Sequence, residues 1–297
     1  MPWSRLALGY ALALGGAGLY GIGGVLAKDA FAAGIVPSEM AQLRAMFSFA
    51  VLLAALAVAG RSHLRIRARD VPLLALFGAL GIAAVNGTYY EAISRLPLGV
   101  ALAIQYTAPL TLLVVARIGG RHVGERLWIA AVAAVLGCVL VVGAYDARLR
   151  DVNGAGAAVA VISMLTFAAY LIMAERILRR YSPWTLLLYG LLFASIAWGL
   201  YRVPTALPWE LAAAQWPLVV GIVFVATLFP YVLTLAALSL LPAARVGLTA
   251  TFEPVVGALA GFAFLGEVLQ LPQIAGGLVV LAAIALVQTS RLREGGV

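Results

Sequence analysis

AISRLPLGVALAIQYTAPL at residues 92–110 and ALSLLPAARVGLTATFEPV at residues 237–255 are two copies of one pattern. Ala92, Ser94, Leu96, Pro97 and Pro109 fall on Ala237, Ser239, Leu241, Pro242 and Pro254 at a constant offset of 145 residues. Both copies carry a proline inside an apolar run, where a helix loses a backbone donor. A Gly-Glu pair follows each copy: Gly124-Glu125, and Gly266-Glu267 after a three-residue shift. Pro37 and Pro183 open corresponding apolar runs earlier in each copy. The chain therefore divides into two units, residues 1–146 and 147–297.

The medium around these units follows from composition. Of the 297 residues, 64% are hydrophobic and 11% are charged, against about 25% charged in a soluble domain. Long apolar runs between short polar ones read as transmembrane helices of about 20 residues. Ten such runs are expected, near residues 6–27, 38–60, 71–91, 97–117, 126–144, 155–175, 183–203, 214–238, 243–264 and 271–290. The first is read as a spanning helix rather than a cleaved leader, because no polar mature start follows it. The fold class expected is an all-α membrane protein with five spans in each unit. An odd number of spans makes the second unit enter the membrane from the opposite face. Inverted repeats of this kind belong to transporters, which place a binding site between two halves.

Charge supplies the orientation. With the N-terminus inside, the inner segments hold 14 Lys and Arg and the outer loops hold 5; Arg44 lies within the second span. Basic residues concentrate on the cytoplasmic side, so both termini are expected there, in a bacterial-type inner membrane. This asymmetry accounts for the basic run RSHLRIRARD at residues 61–70 without a nucleic-acid partner.

The two units, each with Leu-Pro and a second proline in its fourth helix and Gly-Glu after it, resemble the paired EamA domains of the drug/metabolite transporter superfamily. Within that superfamily the chain is most similar to the YddG-type exporters, known for moving aromatic amino acids. The resemblance implies ten helices, cytoplasmic termini and a central cavity surrounded by the first four helices of each unit. It also implies a peripheral fifth helix in each unit, here 126–144 and 271–290, through which a homodimer is possible. The copies differ in one telling place: Ala108 stands where Glu253 stands.

Glu253 is an acid deep in an apolar run, where a charge costs about 2.5–3.5 kcal/mol on insertion scales. Thr249, Phe252, Glu253, Gly257 and Gly261 share a helix face by their spacing. Two readings stand: Glu253 is buried against a neighbouring helix, bonding backbone freed by Pro254, or it contacts substrate and carries protons. Arg44 either snorkels outward or lines an outer vestibule, pairing with Glu91 or a substrate carboxylate. Asn86, Tyr89 and Tyr90 share one face of the third helix, although Tyr89, Tyr90 and Tyr181 also suit an interfacial anchoring role. The expected substrate-contacting set is Tyr20, Gln42, Asn86, Tyr90, Gln105, Tyr106, Tyr170, Thr249 and Glu253. Pro109 and Pro254 are the expected hinge or gate. Glu125 and Glu267 are expected to cap the helices that follow them.

No Walker loop, HExxH or CxxC occurs, the single cysteine is Cys138, and both histidines, His63 and His122, fall in basic loops. These absences argue against an ATP-driven pump, a metalloprotease or any enzyme, and no cofactor or metal is expected. An aromatic cavity with few fixed charges suits a neutral or zwitterionic solute. The function expected is a secondary transporter that exports amino acids, aromatic or otherwise apolar, by alternating access. An exporter of drugs or other small metabolites is the alternative in the same class, and a non-transporting membrane scaffold or receptor is the alternative in another. If the acid carries protons, Glu253→Gln abolishes the pH dependence of flux in proteoliposomes.

Overall fold

The computed structural model describes residues 3–146 and 153–289 and is helical throughout, with no β-strand among those residues. The helices are α1 (Ser4–Ala32), α2 (Pro37–Ala59), α3 (Ala68–Arg95), α4 (Leu98–Ile118), α5 (Glu125–Val141), α6 (Gly154–Ile177), α7 (Pro183–Tyr201), α8 (Trp216–Leu238), α9 (Ala243–Leu265) and α10 (Leu271–Gln288). Nine of them, all but α5, are long and apolar enough to cross a membrane. At 17 residues, α5 is about 25 Å long, short of a hydrocarbon core of about 30 Å. Side chains such as Leu8, Ile129, Leu136, Leu165 and Leu278 are exposed on the outer surface. A surface of that character needs lipid around it, and the chain is a multi-pass membrane protein.

Local chemistry sets the helix ends. Pro183 follows Ser182, whose hydroxyl accepts the Thr185 N–H at 3.2 Å. Asn153 accepts the N–H groups of Ala155 and Gly156 at 2.9 and 3.2 Å and starts α6. Gly266 ends α9 in the left-handed region at φ 69°, a conformation that suits glycine. The second Gly-Glu pair therefore acts differently from expectation. Glu125 does open α5, but Glu267 lies four residues before α10 and pairs with Lys28 at 2.6 Å. Arg148, Arg150, Arg291 and Arg293, used in the charge count, lie outside the described residues, as does the boundary between the two units.

Helix pairing follows a rule. Helix α1 packs on α8 and α9, and α6 packs on α3 and α4. Helix α3 packs on α7, and α8 packs on α2. The pairs α2 with α7 and α5 with α10 complete the scheme. Exchanging each helix for the one five places away reproduces these pairs. The irregular segments obey the same rule. Wide π-type turns interrupt α3 at Phe77–Ala84 and α8 at Phe224–Leu228, and α4 and α9 each break near the middle.

Both breaks sit just before the repeated prolines. Helix α4 stops at Gln105 and resumes at Ala108, and α9 stops at Ala250 and resumes at Phe252. Pro109 and Pro254 offer no N–H to the carbonyls four residues back, those of Gln105 and Ala250. A threonine stands in each break and bonds a nearby carbonyl, not the one its proline frees: Thr107 donates to Ile104 O at 2.6 Å, and Thr251 to Leu248 O at 2.6 Å.

Glycine permits the closest crossings. A Cβ on Gly21 of α1 would lie 2.7 Å from the Glu253 carbonyl oxygen and 2.8 Å from the Gly257 nitrogen of α9. Gly137 and Gly276 join α5 and α10 in the same way, each Cβ within 2.8 Å of the other's carbonyl oxygen. Backbone cannot yield there as a flexible side chain could. Gly21→Leu is expected to destabilise the bundle by about 3 kcal/mol or more and to lower the detergent-solubilised melting temperature. Gly18→Leu, with nothing within 4 Å of its added Cβ, should leave that temperature nearly unchanged.

Candidate functional site

Polar side chains gather where the two breaks and the wide turn of α8 meet. Tyr20 of α1 stands edge-on to Tyr231 of α8, with ring centroids 5.7 Å apart. Tyr231 is in turn edge-on to Tyr170 of α6 at 6.1 Å. Tyr170 stacks on Phe77 at 5.6 Å and on Phe167 at 6.2 Å. Its hydroxyl is buried and has no hydrogen-bond partner.

Arg44 of α2 turns inward rather than snorkelling out. Its guanidinium donates to the Ala226 carbonyl at 3.1 Å. That carbonyl lies in the wide turn of α8, where Thr227 donates its hydroxyl to Ile222 O, five residues back, at 2.9 Å. The Tyr90, Tyr20 and Tyr231 side chains are close to the guanidinium. Glu91, a partner considered for Arg44, instead accepts from Arg95 at 2.6 Å. Glu39, also near in sequence, pairs with Arg202.

Glu253 occupies the first turn after the break in α9 and is half-buried. The Tyr106 side chain, from the break in α4, lies close to its carboxyl. Tyr89 approaches the same carboxyl. Asn86 anchors itself by donating to Ile82 O at 2.7 Å and neighbours the Tyr231 hydroxyl. Residues 84–90 of α3 are all partly exposed.

Tyr20, Asn86, Tyr90, Tyr106, Tyr170 and Glu253 thus come together. Gln105 lies at the edge of this group, its Oε1 accepting from Ser163 of α6 at 2.9 Å. Two expected members are elsewhere. Gln42 is wholly buried and donates to the Arg202 carbonyl at 2.9 Å. It lies two residues from Arg44, which turns it to a different face of α2. Thr249 is also wholly buried and donates to the Arg245 carbonyl of its own helix at 2.9 Å. The break at Thr251 separates it from the Glu253 turn, so an uninterrupted helical spacing across 249–261 does not apply.

Three members escape a sequence-level assignment. Arg44 has an equally good account as a snorkelling side chain. Tyr89 looks like an interfacial anchor, whereas Tyr181, weighed beside it, does bond outside the bundle centre, to Asp70 at 2.7 Å. Tyr231 directly follows Pro230 within a span, the mirror of the Glu253-Pro254 order, and that adjacency was the available signal.

The profile of the EamA-like transporter family matches this chain twice, over residues 7–143 and 154–289. The threonine/homoserine exporter RhtA of Salmonella typhimurium is 30% identical over 226 residues, covering 75% of this chain and 71% of that protein. The protein of the same name from Escherichia coli K12 is 29% identical over 229 residues, covering 75% and 74%. An uncharacterized transporter of Archaeoglobus fulgidus is 27% identical over 248 residues, covering 82% and 84%. A crystal structure superposes over 96% of each chain with a TM-score of 0.77 at 17% identity, a likeness of fold. With a family match that spans nearly all of both halves, the chain belongs to the EamA-like transporter family.

Proposed function

We propose that this protein is a secondary transporter that exports amino acids across the inner membrane by alternating access, without enzymatic chemistry. The observation that carries this reading is the central cluster. One guanidinium, one carboxyl and several tyrosines meet at helix breaks contributed by different halves of the chain. Discontinuous helices with polar groups at mid-depth are how transporters hold a solute between repeats. Relatives that bear the name threonine/homoserine exporter support amino acids as the substrate class. The tyrosine walls favour an aromatic or otherwise apolar side chain.

Ten spans in two inverted five-helix repeats, with both termini cytoplasmic, complete the proposal. Support comes from the double family match, the five-place rule of helix pairing, and the matched wide turns and proline breaks. On this reading α5 spans despite its length, aided by local thinning of the bilayer.

Two ion pairs add a gating scheme. Lys28 at the end of α1 meets Glu267, after α9, at 2.6 Å. Glu175 near the end of α6 meets Arg121, after α4, at 2.7 Å. Each joins the end of the first helix of one half to the segment after the fourth helix of the other, with the signs exchanged. In an inverted arrangement they stand at opposite membrane faces, so rocking of the halves opens one while the other holds. The Glu175 pair is the stronger: Glu175 is 14% exposed and also accepts the Ala243 N–H at 2.8 Å. The Lys28 and Glu267 side chains are each 49% exposed, and water screens them.

Purified protein in liposomes should carry labelled L-phenylalanine or L-threonine above the rate of empty liposomes. No flux for any amino acid, with flux for other metabolites, would favour a drug or metabolite exporter instead. Glu175→Gln keeps an acceptor for Ala243 and removes the charge. It should weaken that contact by about 1 kcal/mol and raise amide exchange at residues 243–246 roughly fivefold. Lys28→Gln should raise exchange near residues 265–268 and not at 243–246.

A further inference from the structure

Arg44 and Glu253 are opposite charges inside one bundle that do not form an ion pair with each other. Among the described residues, the five ion pairs leave both of them out. Glu39, five residues before Arg44, and Glu91, its expected partner, are committed to Arg202 and Arg95. The hydrogen bond of the Arg44 guanidinium goes to a neutral group, the Ala226 carbonyl, and tyrosines stand near both residues. Ionisable residues without a salt bridge at membrane depth are costly, and such residues mark substrate or ion paths.

Aromatic side chains stand near both groups. Tyr20 and Tyr231 form an edge-to-face pair at 5.7 Å, and both side chains lie within electrostatic reach of Arg44 and of Glu253. A guanidinium has five donors in a fixed fork that matches a carboxylate in two-point contact. The Ala226 bond fixes the orientation of that fork while leaving other donors for a ligand. The Glu253 carboxyl can accept from an ammonium. A molecule bearing an ammonium and a carboxylate would neutralise both groups at once, while its side chain lies along tyrosine edges.

We propose that Arg44 and Glu253 are the two ends of a clamp for a free α-amino acid, with Arg44 on the carboxylate and Glu253 on the ammonium. The proposal rests on the amino-acid-exporter reading and deepens it: the clamp demands both free termini and leaves side-chain choice to the tyrosine wall. Amines and acids lacking one terminus are poor substrates, as are peptides, whose two termini stand farther apart than those of an α-amino acid. Arg44 and Glu253 come from different halves, so a bound zwitterion draws the halves together across the centre.

Competition against labelled L-phenylalanine or L-threonine flux in proteoliposomes tests this. Unlabelled free amino acid, its methyl ester and its N-acetyl derivative serve as competitors. Leaving one end of a buried charge pair unmatched predicts half-inhibition concentrations about 30-fold or more higher for each capped form. Arg44→Gln should erase discrimination against the ester and retain it against the N-acetyl form, and Glu253→Gln should do the reverse. Capped forms that compete within about threefold of the free amino acid would overturn the clamp, as would either variant with wild-type discrimination. Those results would leave the exporter reading intact, because flux itself would persist. Thermal stabilisation of the wild-type protein by the same three compounds gives the comparison without flux and without relying on a variant that fails to fold. Absence of both flux and stabilisation with any free amino acid would overturn both readings.

Discussion

A proline inside a membrane helix leaves one carbonyl without its donor, in a medium that has no water to supply another. The architecture depends on that shortage arising twice, at Pro109 and at Pro254. Each helix ends its regular bonding just before the proline, and a threonine hydroxyl bonds the carbonyl three residues back. An unsatisfied group in hydrocarbon costs several kcal/mol, so other polar side chains are also favoured at these points. The wide turn in α8 adds the Ala226 carbonyl that receives Arg44. Polar groups that would be expelled from a regular helix are thereby stable in the bundle centre.

The two breaks are alike in backbone and unlike in chemistry. The α9 break presents Glu253, and the α4 break presents Tyr106 close to it, with Ala108 at the position that repeats as Glu253. The peripheral ion pairs show the same habit, with the signs of Lys28–Glu267 exchanged in Glu175–Arg121. A duplicated backbone with divergent side chains gives two similar mechanical elements and one asymmetric site. Glycine contacts such as Gly21 against the Glu253–Gly257 backbone bring α1 close enough for Tyr20 to reach that site.

Much of the helical frame was legible because hydropathy and proline position are local properties. The ten apolar runs, the repeat and both breaks could be read from spacing alone. The partners of individual polar side chains could not, because they depend on helix rotation. Gln42 and Arg44 are two residues apart, and only packing decides that one faces the Arg202 carbonyl and the other the centre. The Glu267 assignment failed because α9 ends in a left-handed glycine and α10 starts only at Leu271, which frees the acid to reach Lys28. Tyr231 was missed because nothing in a span of Leu, Val and Phe distinguishes an inward tyrosine except its neighbour Pro230.

We propose that the two halves sit upside down relative to each other around the shared site. Ser94 and Ser239 are repeat counterparts, both exposed, and each donates its hydroxyl to the carbonyl three residues back, at 2.8 and 2.6 Å. In a Cys138→Ala background, Ser94→Cys and Ser239→Cys can be labelled in intact cells with a membrane-impermeant maleimide. The account predicts that Ser94→Cys reacts from outside and that Ser239→Cys reacts only after the membrane is opened. Reaction of both from the same side would contradict it.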